Sequence, residues 1–298
     1  MSGSMSSPVI PRPIEVEPSG GTGVIGDGLV IECSAELAPV ARWFRRLLEG
    51  PTGWRIEIGE DRRDAGLRLA VGTGAKPAGA GPAGLRAPEE EAYELVVDAG
   101  AVSIVGGSPA GVFYGLQSLR QLMPAELWRS APVERSPVPP VALGGVTIRD
   151  APEYPWRGVL LDVSRHFMPK SFVLKLIDLM ALHKLNVLHL HLTDDQGWRV
   201  EIDRYPRLTA VGAWRKESQL GRFEPGTGDG RPHGGFYSKD DLREIVAYAG
   251  ERFVAVLPEI DMPGHMVAAI AAYPELGNTA ERRQVMTDWG ISDHVLRL

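Results

Sequence analysis

Residues 186–202 read NVLHLHLTDDQGWRVEI. His189 and His191 alternate with leucines, and Asp194 and Asp195 follow at once. Imidazoles and carboxylates this close suit proton transfer, because one group can orient and tune the other. Two further segments share the character. GVLLDVSRH brings Asp162, Ser164, Arg165 and His166, and FVAVLPEIDMPGH brings Glu259, Asp261 and His265. The same residues allow a second chemistry, in which His189 and His191 are a metal pair completed by Asp194 or His265. Bland roles stand beside both. The histidines could be satisfied interior residues, Asp194 or Asp195 could cap a turn, and His265 could be a turn residue after Pro263 and Gly264. Trp198 could pack under a loop or stack on a substrate, and Arg157 could be a surface charge beside Trp156.

The elements that must position these residues are legible in the pattern. From Tyr154 onward the chain alternates strand and helix: GVLLDVS, then KSFVLKLIDLMALHKL, then NVLHLHL. A long connection from Thr193 to Tyr237 precedes a helix opened by Ser238, with Asp241 at capping-box spacing, and then the strand FVAVLPEID. The first helix should bury Val173, Leu176, Ile177 and Met180, and the second Leu242, Ile245, Val246 and Ala249. Alternation of this kind means a parallel sheet. All three polar clusters fall at the carboxyl ends of their strands, where a parallel α/β barrel builds its active site. On the middle strand Leu188, Leu190 and Leu192 should face the helices, and His189 and His191 the barrel interior. The run GRFEPGTGDGRPHGG (221–235) fits no phosphate-loop spacing and reads as a flexible insert in a position suited to a lid.

Residues 8–150 read as a separate, small α/β (α+β) domain. GLVIEC, WRIEIGE, GLRLAVG and VALGGVTIRD read as strands, and YELVVDAGAVSIVG as a hairpin around Asp98–Ala101. One helix carries Val40, Trp43, Phe44, Leu47 and Leu48. A second starts at a Ser108 cap and Pro109 and carries Val112, Phe113, Leu116 and Leu119. None of these residues suggests chemistry. The proline-rich stretch 131–140 links the two parts, and residues 1–7 read as a disordered start. A net charge of −6 over 298 residues gives no basic footprint for nucleic acid. No apolar run approaches a membrane span, and no secretory signal is evident, so the expected location is cytoplasmic unless the amino terminus has been trimmed. Cys33 is the only cysteine.

WRGVLLDVSRHFMP, KLNVLHLHLTDDQGWRVEI and VLPEIDMPGH together resemble the family 20 glycoside hydrolases, the β-N-acetylhexosaminidases, in order and spacing. The resemblance covers 8–298 and implies a (β/α)₈ TIM barrel over 151–298, of which about the first three βα units are present. It implies hydrolysis of terminal N-acetylglucosamine or N-acetylgalactosamine on glycans or chitooligosaccharides, with retention. The substrate's own 2-acetamido group assists, and neither metal nor cofactor takes part. Arg157 would hold sugar hydroxyls, and Asp194 and His265 would pair beside a catalytic glutamic acid. The alanine-, glycine- and arginine-rich style suggests a high-GC bacterium.

One departure matters. The family's adjacent Asp-Glu pair ends its fourth strand, and no such dipeptide occurs in these 298 residues. A whole barrel takes ~250 residues, against 145 from Tyr154 to Leu298. The expectation is therefore an amino-terminal portion without activity by itself. The alternatives are a sugar-binding remnant that has lost catalysis and a metal-dependent barrel hydrolase.

Overall fold

The computed structural model describes residues 8–72, 85–129, 138–221, 226–279 and 281–297. Residues 1–7, 130–137 of the proline-rich link and 222–225 of the glycine-rich run lie outside the described residues. The chain divides into two compact units. One runs to Arg157 and takes in Met180–Leu185 and Glu251–Phe253, and the other comprises Gly158–Leu179, Asn186–Gly250 and the chain from Val254.

The first unit is a seven-stranded mixed sheet with helices packed on it. Its elements are β1 (Glu15–Ile25), β2 (Leu29–Glu32), α1 (Ala38–Thr52), β3 (Ile56–Gly59), β4 (Leu67–Val71), the single turn α2 (Pro88–Glu91), β5 (Tyr93–Asp98), β6 (Ala101–Gly106), α3 (Pro109–Leu122) and β7 (Val141–Asp150). The sheet order is β1-β7-β5-β6-β4-β2-β3. β5 and β6 form the expected antiparallel hairpin, with Asp98 opposite Ala101. Ser108 caps α3 by accepting the Ala110 N–H. The stripes of α1 and α3 meet the sheet in one core, where Trp43 stacks at a tilt on Phe113 with centroids 4.6 Å apart. β1 was not legible in the sequence. Its EVEPSGGTGVI carries a proline and two adjacent glycines, and it survives as a strand because it lies at the sheet edge, where β7 is its one strand neighbour among the described residues and a single bridge joins Gly23 to Gly100. An edge strand tolerates the missing proline N–H, and its register shifts between Pro18 and Thr22.

The second unit holds β8 (Gly158–Asp162), α4 (Lys170–Leu182), β9 (Val187–Asp194), β10 (Gly197–Trp198), the turn α5 (Arg207–Ala210), β11 (Trp214–Arg215), β12 (His233–Gly234), α6 (Lys239–Gly250), β13 (Ala255–Ile260) and α7 (Val267–Ala272). β9 is central and parallel to both β8 and β13. That is a barrel-like segment of three parallel strands. The long connection is not structureless: β10 folds back on β9, and β11 pairs with β12, which lies inside the glycine-rich run. The capping box of α6 forms, with Asp241 accepting the Ser238 N–H and Ser238 Oγ accepting the Asp241 N–H. In α4, Val173, Ile177 and Met180 are buried as expected, and Leu176 is only half-buried. In α6, Ile245 and Ala249 are buried, but Val246 is exposed. The buried stripe there is a single i, i+4 row, narrower than the sequence pattern suggested. No described helix is long and apolar enough to cross a membrane.

Candidate active site

Sheet register assembles the site. In parallel strands, residues in register point to the same face. His191 of β9 is in register with Asp162 of β8 and Glu259 of β13, so one row carries acid, imidazole and acid. The row below it is Leu160, His189 and Leu257. The leucines of β9 fill the opposite face, all three buried.

The histidines are therefore held by carboxylates. His189 Nε2 stands 2.5 Å from Glu259 Oε2, and His191 Nδ1 stands 2.8 Å from Glu259 Oε1. His191 Nε2 donates to Asp194 Oδ2 at 2.8 Å. Both ring nitrogens of His191 face acids, so the ring is an imidazolium. Burial works against its charge, but the hydrogen bonds to Asp194 and Glu259 outweigh it and raise the pKa to about 9. A raised folded pKa stabilises the native state fully below the unfolded value near 6.5, and the gain is lost as pH climbs through 9. Unfolding free energy should thus fall by up to about 3 kcal/mol between pH 6 and pH 10. Urea titrations at those pH values read it, and the His191→Asn protein should lack this slope.

Asp194 is the hub. Its side chain is 1% exposed. Besides His191, it accepts the Asp195 N–H at 2.7 Å and lies 2.6 Å from Arg165 Nη2. His265 Nδ1 stands 3.0 Å from Asp194 Oδ1 and 3.4 Å from Asp195 Oδ2. Burial would raise the Asp194 carboxyl, but His191, the Asp195 amide and Arg165 hold it below the usual range. Asp195 behaves oppositely. Burial pushes it up and the Asp194 charge adds to that, against the Val267 N–H that its Oδ1 accepts at 3.1 Å. His265 is at φ 56, a left-handed backbone that a histidine seldom adopts. It turns the ring back onto the two aspartates just before α7. The expected hydrogen bond between Asp194 and His265 is not aligned, although the two side chains stand 3.0 Å apart.

Arg157 is not part of it. It immediately precedes Gly158, the first residue of β8, so it sits at the amino end of a strand whose carboxyl end carries the site. Five residues at about 3.3 Å each separate the two ends. Its guanidinium belongs to the first unit, where it meets Glu91 Oε2 at 2.6 Å and donates to the backbone oxygens of Lys184 and Tyr154. The arginine at the mouth is Arg165, held by Asp162 Oδ2 at 2.9 Å and by Asp194. Strand direction could have shown this in the sequence, because only Arg165 follows GVLLD. Since Glu91 is 1% exposed, Arg157→Ala should cost about 3 kcal/mol of stability by leaving a buried carboxylate short of its partner. Chemical denaturation measures it.

Arg199 escaped the sequence reading altogether. It is fully buried. It donates to Val163 O at 3.0 Å, Ser164 O at 2.7 Å, Ala213 O at 2.7 Å and Gly235 O at 3.0 Å. The loop after β8, the β10–β11 connection and the turn after β12 are thus pinned to one guanidinium. Gly197 makes room for it, since a Cβ there would come within 2.2 Å of Arg199 Nη2. Trp198 is a core residue at 5% exposure, packed with Met266 and Ile270, and does not offer a stacking face.

Among the described residues, two groups place three potential metal-ligand atoms within 4.8 Å of one another: His191, Asp194 and Asp261, and Asp194, Asp195 and His265. The His189–His191 pair does not act as one, because both histidines are turned onto Glu259.

Comparison with known proteins fits this architecture. The model for glycosyl hydrolase family 20, catalytic domain, matches residues 154–298, and that for domain 2 of the same family matches 6–151. A β-hexosaminidase of Porphyromonas gingivalis is 40% identical over 290 residues, 96% of this chain and 34% of that protein. A β-N-acetylhexosaminidase of Cellulomonas fimi is 35% identical over 284 residues, 94% of this chain and 51% of that one. The solved family 20 β-N-acetylhexosaminidase of Streptomyces coelicolor A3(2) superposes with a TM-score of 0.79 at 36% identity, over 98% of this chain and 53% of that structure. The chain spans between a third and just over half the length of these relatives. Two family models that between them take in nearly every residue, on a parallel-strand frame with its acids at the carboxyl ends, make this chain a member of glycoside hydrolase family 20.

Proposed function

We propose that these residues serve a β-N-acetylhexosaminidase that removes terminal N-acetylglucosamine or N-acetylgalactosamine from glycans or chitooligosaccharides, with retention and with help from the substrate's acetamido group. The observation that carries the reading is the buried Asp194 facing His265 at 3.0 Å at the carboxyl end of β9. In this reading His265 and Asp194 orient and tune a carboxylic acid that protonates the leaving oxygen. Arg165 takes the sugar-binding role expected of Arg157. Asp162 and Asp194 fix its planar fork, and its remaining N–H groups suit vicinal hydroxyls.

The 298 residues hold no Asp-Glu dipeptide. Turnover of an aryl N-acetyl-β-glucosaminide by this chain alone is therefore not expected. The test assays both this chain and any longer product of the same reading frame, with NMR of the anomer first released. A β-anomer from the longer product supports the reading. An α-anomer, or no turnover by that product, ends it.

A further inference from the structure

We propose that Asp194, Asp195 and His265 form a binding site for a divalent transition-metal ion, with zinc the best fit. Several observations lead there. Asp195 is fully buried, yet its Oδ2 has no hydrogen-bond partner among the described residues. His265 Nδ1 also lacks an aligned partner, although it stands 3.0 Å from Asp194 Oδ1 and 3.4 Å from Asp195 Oδ2. Ligands at zinc's usual bond lengths, placed tetrahedrally, lie about 3.3–3.5 Å apart. The two distances from His265 Nδ1 lie close to that spacing, and one ligand atom from each of the three residues falls within 4.8 Å of the others. The set is also chemically right, one imidazole nitrogen and two carboxylate oxygens. Three protein ligands leave a fourth position open, and the His265 side chain, 38% exposed, lets an ion in from solvent.

Charge favours the ion as well. Asp162, Asp194, Asp195, Glu259 and Asp261 gather at these strand ends, against Arg165 and the His191 imidazolium. The other candidate group is weaker. There His191 Nε2 and Asp194 Oδ2 are already bonded to each other, and Arg165 holds the same oxygen.

The ion takes the Nδ1 lone pair, and a proton held there is released to solvent. A loaded site ties His265 and Asp194 to the metal and so blocks their service to a catalytic acid. We read it as inhibitory. That consequence rests on the proposed glycosidase activity, whereas the binding itself does not.

The test uses the 298-residue protein, stripped with a chelator and titrated with zinc chloride by calorimetry at pH 7.5. One equivalent should bind with a dissociation constant in the micromolar range or below. His265→Ala and Asp195→Asn should each weaken it at least tenfold, and Asp261→Asn less than threefold. In case a variant fails to fold, the imidazole ¹⁵N resonances of the unaltered protein are followed during the titration. Zinc should shift His265 Nδ1 and leave His189 in place. Weak, multi-site binding overturns the proposal, as does an ¹⁵N shift confined to other histidines or an affinity that only Asp261→Asn changes. If zinc binds as described but a longer, active product is not inhibited, the inhibitory role fails and the site stands.

Discussion

Arg199→Met is expected to destabilise the protein by about 5 kcal/mol or more, enough to leave most of it unfolded at 37 °C. Methionine matches the length of the side chain but donates nothing. Backbone oxygens on Val163, Ser164 and Gly235 would lose their donor, and Ala213 O would keep only the Gly235 N–H. Each orphaned buried acceptor costs about 1–3 kcal/mol. Only the removal of a buried cation offsets this, and that offset is incomplete because the guanidinium is already well bonded. Arg199→Lys should recover a minority of the loss, since an ammonium cannot reach four oxygens from three directions. Urea midpoints of the three proteins, with circular dichroism to score folding, give the answer. A methionine variant within about 1 kcal/mol of the parent would mean that water replaces the guanidinium without penalty.

Asp194→Asn should cost about 4 kcal/mol, although it changes one atom. The carboxylate accepts from the His191 ring and the Asp195 amide, with Arg165 at ion-pair distance. An asparagine oxygen can keep the Asp195 N–H. Its NH₂ then points at His191 Nε2 and Arg165, a donor against donors. Two cations lose their buried counter-charge, and breaking such a pair from one side is strongly destabilising. The His191 pKa should fall from about 9 as well, because Asp194 is one of the two acids that raise it. An NMR titration of the His191 ring separates this from a general loss of stability. In an active longer product, kcat should drop by about 10²–10³ with little change in KM, as befits a group that tunes a proton donor. An unshifted His191 would show that Glu259 alone sustains the imidazolium.

Much of the frame was legible because periodicity reports which face is buried. The three parallel strands, the β5–β6 hairpin, the Ser108 cap and the Ser238–Asp241 box all stand where the pattern placed them. β1 was hidden because Pro18, Gly20 and Gly21 argue against a strand, and only its edge position makes them harmless. Val246 was misread because a helix that packs on one row buries less than its apolar residues allow.

By itself the sequence determined the family, the order of strands and helices, and the gathering of acids and histidines at one end of a parallel sheet. All of these follow from spacing along the chain. Tertiary structure decided which charges meet. It turned His189 and His191 onto Glu259, assigned the mouth to Arg165 and left Arg157 on Glu91. It also set Arg199 among four carbonyls and brought Asp195 to the amide of Val267, 72 residues away in the chain. The reason is physical: a buried charge is stabilised by whatever lies within about 3 Å of it. Between distant segments, sheet register and turn geometry fix that neighbour, and residue spacing does not encode it.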